Sequence, residues 1–89
     1  MHYEVVYEKK AIKSLSKLDK GQQRMIMGWI TKNLVQTDNP RQQGKALKGE
    51  LKEYWRYRVG NYRLLADIDD DAIKIILIQI GHRKDIYSK

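Results

Sequence analysis

The stretch Tyr54-Trp55-Arg56-Tyr57-Arg58-Val59-Gly60-Asn61-Tyr62-Arg63-Leu64-Leu65 constrains the fold of this chain more than any other. Its residues alternate on a two-residue period, so Trp55, Tyr57 and Val59 point one way while Arg56 and Arg58 point the other. Gly60-Asn61 interrupts the alternation with residues that tolerate positive φ, as a two-residue hairpin turn requires. The expectation is a hairpin with an aromatic face anchored in a core. Two guanidiniums stand together on the reverse face, and Arg63 re-enters beside them on the return strand. Three fixed positive charges on neighbouring strands repel one another unless an anion or carboxylates lie among them. Such a face suits phosphate.

The rest of the chain supplies a partner for the aromatic face. His2 to Tyr7 is β-branched and aromatic, and predicts a first strand. Ala11, Ile12, Leu15 and Leu18 then recur at helical spacing, with Lys9, Lys10, Lys13 and Lys17 outside. Asp19 is placed to cap a second helix, whose stripe holds Ile26, Trp29, Ile30 and Leu34. Thr37-Asp38-Asn39-Pro40 ends it, and a polar connection from Arg41 to Glu53 leads to the hairpin. After a turn at Asp69-Asp70-Asp71, Ala72 to Ile80 forms a strand apolar on both faces through Ile75-Ile76-Leu77-Ile78, as suits an internal position. The order β-α-α-β-β-β makes one α+β domain over residues 1–89, a mostly antiparallel sheet with a helical hairpin on one face.

Charge narrows the function. The net charge of +7 and pI near 9.7 favour a polyanionic partner, nucleic acid first. Lys45, Lys48, Lys52, Arg56, Arg58 and Arg63 cluster between residues 44 and 63, against Glu50 and Glu53. That segregation exceeds what solubility alone requires. With no cysteine, disulfides and thiolate metal sites are excluded. Asp69-Asp70-Asp71 lacks the spacing of a calcium loop, and no phosphate-binding glycine loop or metal-ligand cluster is present, so no cofactor is expected. The longest apolar run, Ile75 to Ile78, is too short to span a bilayer, and a cytoplasmic protein is expected. His82-Arg83, after the last strand, and Tyr87 near the C-terminus complete the candidate residues.

Taken together, Leu47-Lys48-Gly49, the Trp55–Leu64 hairpin, and Ile80-Gly81-His82-Arg83 with Tyr87 resemble the RelE/ParE superfamily of toxins from type II toxin–antitoxin modules. The similarity spans essentially the whole chain and is closest to the RelE branch of ribosome-dependent mRNA interferases. It implies cleavage of messenger RNA in the ribosomal A site and silencing by a cognate antitoxin, with operator DNA reached only through that antitoxin. On this resemblance Arg63, Arg83, Tyr87 and His82 form the catalytic set, and Arg56, Arg58, Lys48 and Lys45 bind RNA. Either His82 or Tyr87 serves as general base. Two other readings of the same resemblance are a ParE-like gyrase inhibitor and an inactive homologue acting as antitoxin partner and co-repressor.

Overall fold

The computed structural model describes residues 2–47 and 54–82. Its elements are β1 (Glu4–Tyr7), α1 (Lys9–Ser16), α2 (Lys20–Asn33), β2 (Lys45–Leu47), β3 (Tyr54–Val59), β4 (Tyr62–Asp69) and β5 (Lys74–His82). The strands form one sheet in the order β1-β5-β4-β3-β2, with β1 parallel to β5 and every other pair antiparallel. The α+β class and the helical hairpin are as expected from the sequence. The element order carries one strand more.

That strand is β2. Lys45-Ala46-Leu47 is too short for its own alternation to announce it, and the unpaired edge of β3 supplies what it lacks. Lys45, Ala46 and Leu47 pair with Arg56, Trp55 and Tyr54. Two side chains from β3 hold the preceding segment in place. Trp55 Nε1 donates to the Gln43 carbonyl at 2.6 Å, and the buried Tyr57 hydroxyl donates to the Pro40 carbonyl at 2.6 Å. Burial also raises the Tyr57 phenol well above its ordinary range.

The other limits differ by a few residues. β1 begins at Glu4 rather than His2, because Tyr3 exchanges backbone hydrogen bonds with Thr37 and Gln36 after α2. α1 closes at Ser16 rather than Leu18, in a tightened turn where Lys17 and Leu18 N–H groups reach the carbonyls of Ser14 and Leu15. Asp19 caps α2 as expected, its carboxylate accepting from the Gln22 N–H at 2.8 Å. Asp19→Ala is expected to cost about 1 kcal/mol of stability, the usual worth of such a cap, read as a lower denaturant midpoint with unchanged slope.

The core lies between the helices and one sheet face. Ala11, Ile26, Ile30 and Leu34 meet Tyr57, Val59, Leu64, Ala66, Ile75, Leu77 and Ile80. Strict alternation along β5 cannot bury both Leu77 and Ile80. A bulge resolves this. The pairing of β4 with β5 steps from Leu65↔Gln79 to Ala66↔Leu77, passing over Ile78. Side chains on either side of the step therefore keep the same inward face despite an odd separation.

Candidate nucleic-acid interface

The hairpin closes through Gly60 and Asn61, and only Gly60 takes positive φ, at 60°. That is the pattern of a type II′ turn, whose twist matches the strands it joins. The turn sets the register: Arg58 lies directly opposite Arg63, Arg56 opposite Leu65, and Lys45 of β2 opposite Arg56. Directly opposed residues share a face, so Lys45, Arg56, Arg58 and Arg63 occupy the side of the sheet turned away from the helices. Arg58 and Lys45 are exposed, Arg56 is half-buried, and Arg63 is 3% exposed. One Arg63 guanidinium nitrogen donates to the Tyr62 carbonyl at 3.4 Å. Cations directly opposed on paired strands repel one another, and the planar donors of guanidiniums suit a phosphate group.

The same face changes sign along its length. Asp67 and Asp69 follow on β4, the latter opposite Lys74. Among the described residues of this face, the arginines cluster at the hairpin end and the aspartates at the other. At the hairpin end the sheet edge opens into a cleft of about 260 Å³ that includes Gly44, Lys45, Arg56 and Arg58. Gly44 is obligatory there. Its φ is +85°, and a Cβ would collide with the Arg56 carbonyl oxygen and stand 2.7 Å from Trp55 Nε1. Among the described residues no group of three or more His, Asp or Glu side chains is arranged to hold a metal ion.

His82 does not join the arginines. It pairs with Tyr62, and the two rings meet edge to face with centroids 5.8 Å apart. Gly81 is the β5 residue opposite Arg63. The bulge at Ile78 has shifted the alternation by one, which turns His82 toward the helix side. Arg83, Tyr87 and Lys48 lie outside the described residues.

Sequence reasoning passed over Arg41. Its guanidinium grips the Asp70 carboxylate with two hydrogen bonds of 3.0 Å, Tyr3 donates to the same carboxylate at 2.7 Å, and the guanidinium carbon sits 6.0 Å from the Trp55 ring centroid. Nothing in the spacing of residues 3, 41 and 70 signals this clamp, since only the tertiary fold brings them together. Arg41, and then Tyr3, hold the Asp70 carboxyl below its ordinary value of 3.8. A carboxyl depressed in the folded state contributes stability that is fully present above that ordinary value and is lost as pH falls through the lowered one. Asp70→Asn is therefore expected to lower stability at neutral pH slightly and to flatten its fall below about pH 4. Parallel acid-unfolding curves of the two proteins check this. Both partners are largely exposed, at 44% and 55%, so the effect is small.

A sequence profile of the ParE toxin of the type II toxin–antitoxin system parDE matches residues 5–87. The chain belongs to the RelE/ParE family of type II toxins. Toxin RelG of Mycobacterium tuberculosis is 40% identical over 50 residues, a segment covering 56% of this chain and 58% of that toxin. The RelBE2 toxin–antitoxin complex from the same organism superimposes with a TM-score of 0.82 at 29% identity, over 93% of both chains. A RelE–RelB complex from Pyrococcus horikoshii gives 0.71 at 21% identity, over 93% of this chain and 97% of that one, which speaks to the fold alone. The RelE/ParE frame of strand, helical hairpin and antiparallel sheet is thus the frame on which the four basic side chains are mounted.

Proposed function

We propose that this toxin is a metal-independent endoribonuclease that cuts messenger RNA in the ribosomal A site and so stops translation. The observation that carries the reading is the Arg58–Arg63 pair, with Arg56 and Lys45 beside it, on the face turned away from the helices. In the proposed reaction the substrate's own 2′-oxygen attacks the adjacent phosphorus. The P–O5′ bond breaks, leaving a 2′,3′-cyclic phosphate and a free 5′-hydroxyl. Arg63 and Arg83 stabilise the charge that builds on the phosphorane oxygens, the step at which preorganised donors contribute most. Arg56, Arg58, Lys45 and Lys48 hold the flanking backbone. Of the two candidate bases, His82 and Tyr87, Tyr87 is favoured, because His82 is turned to the helix side. The ordinary pKa of a tyrosine, about 10, is high for that role, and the proposal requires cationic groups of the site to favour its phenolate.

An antitoxin of the RelB kind is the proposed silencing partner, since the similar structures include RelB–RelE complexes. Operator DNA is reached through that antitoxin. A second reading is inhibition of DNA gyrase without RNA chemistry, favoured by the matching profile's being that of ParE. One experiment separates them. The protein is induced without antitoxin, and messenger 5′ ends are mapped with and without translation. New 5′-hydroxyl ends that require translation support the nuclease. Intact messengers together with stalled replication and DNA damage support the gyrase poison and sink the first reading.

A further inference from the structure

The basic face does not stop at the sheet edge. A second cleft of about 680 Å³ runs along α2, and it shares Trp29 and Gln43 with the cleft beside Arg56 and Arg58. The two clefts therefore adjoin where the β3 edge meets α2. Arg24 and Lys32 border the helical one. They sit eight residues apart with Gly28 midway, so all three share one stripe of α2 about 12 Å long. No acidic residue lines either cleft among the described residues. Asp67, Asp69, Asp70 and Asp71 gather at a different place, around the β4–β5 turn.

From these adjoining basic clefts, we infer that α2 carries the next stretch of single-stranded RNA, its phosphates held by Arg24 and Lys32 as it leaves the arginine face. The proposal rests on the nuclease reading for the identity of its ligand. Gly28 keeps the path open. A Cβ placed there would meet nothing within 4 Å, so packing does not demand glycine at this position. In a helix interior glycine is about 1 kcal/mol worse than alanine.

The test is binding of unstructured, uncleavable RNA with 2′-O-methyl riboses to the full chain, by fluorescence anisotropy across a salt series. A three-nucleotide and a twelve-nucleotide probe are compared for wild type, the Arg24→Ala/Lys32→Ala double variant and Gly28→Glu. Wild type should bind the long probe more tightly. Both variants should lose at least tenfold in affinity for the long probe and little for the short one. The double variant's salt slope on the long probe should fall by about 1.4, or 0.7 per lost phosphate contact on a single strand. Thermal melts confirm that both variants fold. Unchanged long-probe affinity and slope in the folded variants overturn the α2 path while leaving the nuclease reading intact. Polyglutamate is run in parallel. If the variants lose affinity for it but keep their affinity for RNA, the groove belongs to an acidic protein partner and the inference fails. Loss of long-probe affinity as expected, in a protein that leaves messengers uncut during translation, keeps the groove and removes the nuclease.

Discussion

Arg63→Met is expected to lower the single-turnover cleavage rate on programmed ribosomes by about 10²–10³-fold, the usual loss when one preorganised oxyanion donor is removed. Methionine rather than alanine is the informative replacement. Arg63 is 3% exposed, so truncation to alanine would leave a void as well as remove a charge. An unbranched apolar side chain occupies most of that space while removing the charge. A thermal melt showing that the variant is folded at the assay temperature assigns the lost rate to chemistry rather than to unfolding. Cleavage at the wild-type rate by a folded Arg63→Met would remove Arg63 from the reaction. Arg58→Ala, at an exposed position on the same face, should instead weaken substrate binding at subsaturating ribosome concentrations and leave the saturated rate less affected.

The second large effect is on stability. Gly44→Ala is expected to destabilise the fold by about 2–4 kcal/mol, combining a left-handed backbone with overpacking. The segment before β2 cannot retreat from the clash. Tyr57 and Trp55 fasten it through the carbonyls of Pro40 and Gln43, so relief means breaking the exposed Trp55 hydrogen bond or the buried Tyr57 one. For a domain of this size each kcal/mol lowers the melting temperature by about 4–8 °C, so a drop of more than about 10 °C should be seen. A change of only a degree or two would mean that the β2 edge yields freely. Because Lys45 follows Gly44 directly, RNA affinity should fall with stability.

The hairpin was legible from its residues because each signal in it is local. Alternation set the faces, Gly60-Asn61 set the turn, and together they brought Arg56, Arg58 and Arg63 to one side of the sheet. The helical hairpin was legible for the same reason, down to the Asp19 cap. What escaped was whatever depends on a partner distant in the chain. β2 exists because β3 offers an edge, and Arg41 is neutralised by an aspartate 29 residues away. The orientation of His82 was equally out of reach of the sequence. The run Ile75-Ile76-Leu77-Ile78 is apolar throughout, so it gives no cue to where alternation breaks. Only the pairing with β4 reveals that Ile78 is the residue passed over.

That extra residue has a bearing on how related chains are aligned. Remove Ile78 and the strand regains an unbroken zigzag with β4, while everything C-terminal to the deletion moves back by one step. The imidazole would still oppose the same tyrosine. The inward-facing leucine at 77 would keep its face and its pairing with β1, since both lie on the N-terminal side of the step. Two family members of equal length, one bulged and one not, can therefore carry equivalent groups at column positions that differ by one. Matching their functional ends calls for counting ladder rungs from the turn rather than letters along the chain.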